Sequence, residues 1–256
     1  MKGLIRNICL VGIMLITILG TVFAANVNFP APPDNITLES STRRANNTLK
    51  TINAEAGNVT ELTFKDYRRT LSWQGYYGNI TGQITLDNGD NYTMFDWQIP
   101  TPTGEIYAAN DSDIQWALIH CVNFTSKGDG TDGWSFNASI LDKKYGMNNT
   151  AIDRFDQTFN NTYNYGPGFL VGAVRINQSC PLVYTFVNDA PQTSDFLEVL
   201  LTDNNTIIYT ALLNNSIDGF KTGSGDRYDF QMLVGENGNI GHEATTTTYW
   251  FYVELT

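Results

Sequence analysis

Residues 71–82 read LSWQGYYGNITG, a stretch that combines three aromatic residues, three glycines and the glycosylation acceptor Asn79-Ile80-Thr81. Aromatic side chains bury large apolar areas, and glycines let a strand bend or let another backbone come close. We therefore expect a core-forming corner of a β-protein. In this corner Trp73 and either Tyr76 or Tyr77 face the core, while Asn79 faces solvent.

The sequence on both sides of this corner has the period-two pattern of β-strands. The predicted strands are Val59–Phe64, Thr81–Leu86, Asn91–Gln98, Gly104–Ala108, Phe196–Thr202, Thr206–Leu213, Asp226–Val234 and Thr245–Thr256. Asp87-Asn88-Gly89-Asp90 predicts a hairpin turn, and apolar residues on both faces of 196–213 predict a central hairpin. With about ten short strands and no long amphipathic helix, we expect an all-β, antiparallel β-sandwich.

The N-terminus predicts export. Residues 1–24 carry Lys2 and Arg6, then an apolar run and small residues, as in a secretory signal peptide. A retained membrane anchor and an archaeal pilin-type leader remain as alternatives. Residues 25–57 are rich in Pro, Asn and Thr and predict an extended leader, and 58–256 form the β-sandwich domain, with two packed β-modules divided near Asn177 as an alternative. We expect an extracellular or cell-surface location.

Charge and cysteine content narrow the class of protein. The chain has a formal net charge of −11, which becomes −13 when Lys2 and Arg6 leave with the signal peptide. Nucleic-acid phosphates would be repelled by such a surface. Cys9 also leaves with the signal peptide, so an exported chain predicts a disulfide between Cys121 and Cys180.

Glycosylation acceptors are three times more frequent than composition explains. The chain contains 13 Asn-x-Ser/Thr sequons, whereas chance placement gives about four. Turn chemistry in an Asn- and Thr-rich chain accounts for some of them, but not for their even spread. We therefore predict covalent N-glycans at Asn35, Asn46, Asn58, Asn79, Asn91, Asn110, Asn123, Asn137, Asn148, Asn160, Asn177, Asn204 and Asn214.

No catalytic or metal-binding motif stands out, so we expect a protein that is not an enzyme and has no resident cofactor. Weak Ca²⁺ candidates are the carboxylates of two Gly-containing loops, although neither loop matches the EF-hand pattern and turn formation explains both. They are Asp87, Asp90, Asp129 and Asp132. The five tryptophans could form a sugar-stacking platform, but aromatic residues that alternate in strands usually belong to the core.

Several motifs resemble a group of exported proteins from small-genome archaea. They are AEAGNVTEL (54–62), the 73–82 stretch, GEIYA (104–108), DFQMLV (229–234) and YWFYVEL (249–255). The resemblance implies a β-rich, glycosylated cell-surface protein of unassigned activity, and it implies no catalytic residues.

These features favour a structural cell-surface glycoprotein, either a filament subunit or part of a surface coat. Self-association would follow if the extended leader completes a neighbour's sheet by strand addition. The first alternative is an adhesin or carbohydrate-binding module, with Ca²⁺ as a possible ligand, and the second is a surface hydrolase with two converging carboxylates. We expect no nucleic-acid partner, and membrane contact only through a retained N-terminal segment.

Overall fold

The computed structural model describes residues 29–164, 168–177, 179–221, 223, 225–238 and 245–255. The predicted signal peptide, the alternative anchor and the first residues of the predicted leader, 25–28, lie outside these ranges.

Within the described ranges the chain forms fifteen strands, two short α-helices and one 3₁₀ helix. The strands are β1 Trp73–Gly78, β2 Gly82–Asp87, β3 Thr93–Ile99, β4 Gly104–Ala109, β5 His120–Cys121, β6 Asn161–Thr162, β7 Phe169–Val171, β8 Val174–Ile176, β9 Pro181–Tyr184, β10 Leu197–Thr202, β11 Ile207–Leu212, β12 Ile217–Asp218, β13 Arg227–Tyr228, β14 Phe230–Gly235 and β15 Trp250–Leu255. The helices are the 3₁₀ helix Trp116–Leu118, α1 Ala138–Lys144 and α2 Phe155–Thr158.

A seven-stranded antiparallel sheet forms the centre of the molecule. Its order is β15-β4-β11-β10-β9-β6, and β5 also pairs with β10. Strands β4, β10 and β11 are buried on both faces, which explains why the sequence of β10 and β11 is apolar at nearly every position. The predicted central hairpin is thereby confirmed. The sheet takes strands from both sides of Asn177.

Each face of the central sheet is covered by a different layer. On one face, Ile106, Leu200 and Tyr209 pack against α1, α2 and the two-stranded β1–β14 sheet. On the other face, Tyr107 and Val199 pack against the β7–β8 hairpin and the segment that contains the 3₁₀ helix. The all-β, antiparallel and sandwich-like architecture predicted from the sequence is confirmed.

The 71–82 stretch forms the corner expected of it. Trp73 and Tyr76 pack against the core, and the indole N–H of Trp73 donates to the backbone carbonyl of Asp153 at 2.6 Å. Tyr77 points to the opposite side, where its ring meets Tyr228. Because side chains alternate along a strand, only one of the two adjacent tyrosines can face the core.

One predicted strand is wrong, and one helix was not predicted. Residues Val59–Phe64 alternate as a strand should, but they form none. A strand needs a neighbour for its backbone groups, and the described chain offers this segment no neighbour. Helix α1 was not foreseen because it is only seven residues long, and its N-cap, Asn137, was read as a glycosylation acceptor.

The predicted disulfide is confirmed: Cys121 and Cys180 are bonded, with their Cα atoms 4.9 Å apart. Strands β5 and β9 pair with successive parts of β10. The bond joins the end of β5 to the residue before β9, and so closes the gap between two short strands on the same side of β10.

Candidate assembly site

Residues 32–69, which we call the arm, run across the surface without forming a strand. The arm starts beside Ala31, which exchanges two backbone hydrogen bonds with Val253 in β15. In the described part of the chain, the arm's own hydrogen bonds all stay within the arm. It exposes eight large apolar side chains, those of Ile36, Leu38, Leu49, Ile52, Val59, Leu62, Phe64 and Tyr67. A monomer in water gains nothing from this exposure.

The arm folds back on itself, so that its two limbs, before and after the exposed middle, come together at residues 43–47 and 65–69. We call these two segments the arm base. The amide of Asn47 donates to the Asp66 carboxylate at 2.9 Å, and Arg44 and Lys65 both lie over the Tyr67 ring, 5.1 and 4.8 Å from its centroid. The base carries five cations and one acid, in a chain whose net charge is −11. A concavity of about 250 Å³ lies between the limbs, lined partly by Asn46 and Arg69.

Strand β1 has an open edge. Among the described residues it pairs only with β14, with Gly75 opposite Leu233. The backbone N–H of Leu233 donates to the Glu198 carboxylate at 2.7 Å, away from β1. In an antiparallel ladder, the two residues of a pair point their N–H and C=O groups either at each other or both outward. Because Leu233 points its N–H away from β1, Gly75 points its N–H and C=O away from β14. The same holds for Trp73 and Tyr77, which are two residues away on either side. The Gly75 carbonyl accepts a 2.8 Å bond from the neighbouring Gln74 side chain.

Burial of Glu198 fixes this two-stranded sheet on the central sheet. The side chain is fully buried on β10, and burial raises its pKa well above the usual range despite the bond from Leu233. Its second carboxyl oxygen has no partner in the described chain. A neutral carboxyl group that accepts from β14 suits this apolar environment better than an ion would.

A groove of about 730 Å³ runs along β1 and over the outer face of the β1–β14 sheet. Its lining includes exposed aromatic rings of Tyr77, Phe186 and Phe220. Arg43, Arg69 and Lys221 border it, and so do the acids Asp189 and Glu236. The open edge of β1 therefore lies in a groove that combines aromatic rings with charged borders and has room for further chain.

The β2–β3 hairpin is a second uncovered surface. Cross-strand pairing puts Ile84 opposite Trp97 and Leu86 opposite Phe95, so these four side chains share one face. The rings of Phe95 and Trp97 lie side by side on this face, with centroids 5.0 Å apart. Each of the four side chains is at least half exposed. An isolated two-stranded hairpin is only marginally stable in water, so we expect another apolar surface to pack against this face.

The Ca²⁺ candidates lie in turns that use their oxygens internally. Asp87 accepts from the Thr85 hydroxyl, and Asp129 accepts from the backbone and hydroxyl of Thr131, bonds that lower the pKa of Asp129. Asp132 accepts from the backbone of Lys127. Asp90 lies at the tip of the β2–β3 hairpin. Among the described residues, no group of three or more His, Cys, Asp or Glu side chains is placed to hold a metal ion. The bond from the Thr131 backbone to Asp129 is that of an ordinary Asx turn.

Two carboxylates do converge, but inside the sheet. Glu105 and Glu254 are paired across β4 and β15, and the Tyr107 hydroxyl lies 3.5 Å from the first and 3.2 Å from the second. Glu254 also accepts from the backbone of Gly172 at 2.9 Å. Burial and the nearby Glu254 charge raise the pKa of Glu105 to about 8. Glu105 is therefore largely protonated at neutral pH, and the pair serves as a packed acid cluster.

This cluster predicts a pH-dependent stability. Because the pKa of Glu105 is raised on folding, the folded state binds the proton more tightly. Stability is then highest below the ordinary value of 4.5 and is lost as pH rises towards about 8. We expect Glu105→Gln to flatten this slope and to be more stable than wild type at pH 8 by about 2 kcal/mol. Urea unfolding from pH 5 to 8 measures this, with Glu61→Gln in the exposed arm as control. Equal slopes for Glu105→Gln and wild type would contradict the assignment.

The 13 predicted sequons occupy two environments. Eight of their asparagines are exposed, and those at 110, 123, 137, 204 and 214 are half-buried. Asn137 caps α1 through its side-chain oxygen, and its amide nitrogen donates to the carbonyls of Ser126 and Lys127. A glycan on that nitrogen would remove one of its two hydrogens, so the folded structure favours Asn137 as a cap over Asn137 as an acceptor.

Comparisons with protein-family models, curated proteins and solved structures found no match to the chain. The archaeal surface-protein resemblance therefore rests on the quoted motifs alone. None of the helices in the described ranges has the length and apolar character needed to cross a bilayer.

Sequence reasoning identified the arm only in part and missed the arm base, the open β1 edge and the Glu105–Glu254 pair. Alternation predicted which side chains share a face, but not which faces stay uncovered. One signal was available: six of the 15 cations lie in residues 32–69, and such clustering in an acidic chain marks a surface with its own role.

Proposed function

We propose that this protein is a structural subunit of an extracellular homopolymer, a filament or a surface coat. Its copies join when the arm of one copy adds as a strand to the open edge of β1 in another. The observation that supports this most is the arm itself, a long extended segment with exposed apolar side chains and no strand partner among the described residues.

Residues 59–65, VTELTFK, are the best donor within the arm. They alternate, with Leu62 and Phe64 on one side, and are rich in residues that favour strands. Strand addition would give their backbone groups the partners that β1 leaves unused, and the two apolar side chains would enter the groove. Covering each of these side chains contributes about 1.5–3 kcal/mol.

Location outside the cell is supported by the N-terminal sequence, the sequon density and the disulfide, which is the kind of bond that persists in oxidising compartments. N-glycans on exposed sequons would keep such a surface soluble between its contact sites.

A carbohydrate-binding module is the second candidate, favoured by one observation. The groove combines three exposed aromatic rings with polar and cationic side chains, and aromatic faces in such grooves are suited to stacking on sugar rings. Glycan-array binding that is lost in Tyr77→Ala and Phe220→Ala would favour this candidate over assembly.

Substitution of the donor strand tests the assembly. In Leu62→Asp/Phe64→Asp, two charges would replace apolar side chains in the groove, so we expect the association constant between copies to fall at least about 100-fold. Sedimentation velocity of the purified mature chain measures it. Leu118→Asp/Ile152→Asp alters two exposed apolar side chains outside the arm and should assemble like wild type. A wild-type chain that stays monomeric at high concentration would contradict the proposal.

A further inference from the structure

The β2–β3 hairpin combines an apolar face with acidic surroundings. Ile84, Leu86, Phe95 and Trp97 form the face, and residues 82–99 contain three aspartates and no cation. In the described chain, the hydrogen bonds of the hairpin's side chains stay within residues 82–99. The surface is therefore apolar at its centre and negative at its rim, and the part of the chain that the structure describes does not cover it.

The arm base has the opposite character. Residues 43–47 and 65–69 carry five cations against one acid, a net charge of +4 compared with −3 for the hairpin. The exposed Tyr67 ring lies among these cations, and the concavity between the limbs is large enough to receive part of an aromatic side chain. Opposite potentials around apolar centres are the arrangement found in specific interfaces.

We propose that the hairpin of one copy docks on the arm base of a second copy, with the apolar face against the limbs and the aspartates facing the arginines and lysines. This contact rests on the proposed self-assembly and names a second surface for it. It differs from the strand addition to β1, because it uses side chains on a hairpin face and not the edge of a sheet.

The position of the two surfaces explains why the partner is a second copy. The arm ends just before β1 and the hairpin begins just after it, so the six residues of β1 hold them about 20 Å apart. One molecule thus presents the two halves of the contact at opposite ends of one strand. A contact between unlike surfaces repeats from copy to copy, which is the geometry of an open filament.

The two contacts between copies are compatible. If residues 59–65 of one copy run along β1 of its neighbour in the same direction as β1, then the following residues 65–69 leave the groove beside the neighbour's hairpin. Both contacts then join the same two copies. Since Asn46 lines the concavity, we expect this sequon to carry no glycan in assembled material.

Charge reversal with rescue tests the docking. Asp87→Lys/Asp90→Lys and Arg68→Glu/Arg69→Glu should each lower the association constant at least about tenfold, and a chain with both changes should return to within about threefold of wild type. Asp111→Lys/Asp113→Lys, a matched reversal outside both surfaces, should leave association unchanged. All four variants are compared by sedimentation velocity, with circular dichroism to confirm the fold.

The apolar part of the contact has its own test. Phe95→Ser/Trp97→Ser should lower the association constant, and the size of this decrease should not depend on salt concentration. The thermal midpoint of the monomer should stay that of wild type, because both side chains are exposed. Tight binding of the wild-type monomer to neutral phosphatidylcholine vesicles, lost in this variant, would assign the face to a lipid surface and overturn the docking.

The outcomes separate this inference from the proposed function. Wild-type assembly that is indifferent to reversal of the hairpin charges, or a combined variant no better than the single reversals, overturns the docking and leaves strand addition standing. A wild-type chain that never associates overturns both.

Discussion

Removal of the disulfide with Cys121→Ser/Cys180→Ser is expected to lower the free energy of unfolding by roughly 4 kcal/mol. The bond closes a loop with a sequence separation of 59 residues, and a cross-link across a loop of this length removes much of the unfolded chain's freedom. Cys180 is also fully buried in the apolar layer on one face of the central sheet. Serine at this position would bury a hydroxyl group among apolar side chains, which adds to the loss of stability.

Guanidinium unfolding measures this loss. Wild type treated with a thiol reductant should also unfold at a lower midpoint, at or slightly above that of the double variant, since both lack the bond and only the variant buries a serine hydroxyl. A double variant that unfolds at the wild-type midpoint would show that the cross-link does not stabilise the fold.

Phe155→Ala is expected to cost about 4 kcal/mol, the other large effect. Phe155 opens α2, is fully buried, and its ring lies 4.8 Å from Trp73 and 5.3 Å from Tyr145, centroid to centroid. Alanine would leave a cavity between the helices and the central sheet. The indole of Trp73, which donates a hydrogen bond to the backbone of Asp153, would lose its contact with the Phe155 ring. The packing of β1 against this layer would therefore weaken as well.

The control for this substitution lies three residues earlier. Ile152 is 93% exposed, so Ile152→Ala should change the free energy of unfolding by less than about 0.5 kcal/mol. Urea unfolding compares the two. Similar losses in Phe155→Ala and Ile152→Ala would contradict the packing described for this layer.

The central strands were predictable because the pattern of apolar residues within each short segment indicates a buried strand. Strands β10 and β11 are apolar at most positions on both faces and are separated by a short polar turn at Asp203-Asn204-Asn205, a pattern that favours a buried hairpin. Tyr249, Phe251 and Val253 at the C-terminus share a face and pack against one cluster, as alternation indicated.

The candidate site was less predictable, because it depends on what the rest of the chain fails to cover. Val59–Phe64 has a strand pattern but no strand partner in the described ranges, and its sequence alone does not tell whether its own chain supplies one. The same holds for Trp97, which alternation places on an apolar face without showing that the face is open. Glu105 and Glu254 are far apart in sequence and meet only through the pairing of β4 with β15.

Hydrogen exchange in assembled material tests the strand addition most directly. The backbone N–H groups of residues 59–65 have no hydrogen-bond partner in the described chain, so they should exchange at the rate of an open chain in the monomeric Leu62→Asp/Phe64→Asp variant. In the wild-type assembly, we expect exchange at least about 100-fold slower at alternate residues of 59–65, those whose N–H groups face β1, and at Trp73, Gly75 and Tyr77. Assembled wild type in which residues 59–65 still exchange freely would contradict the proposed strand addition.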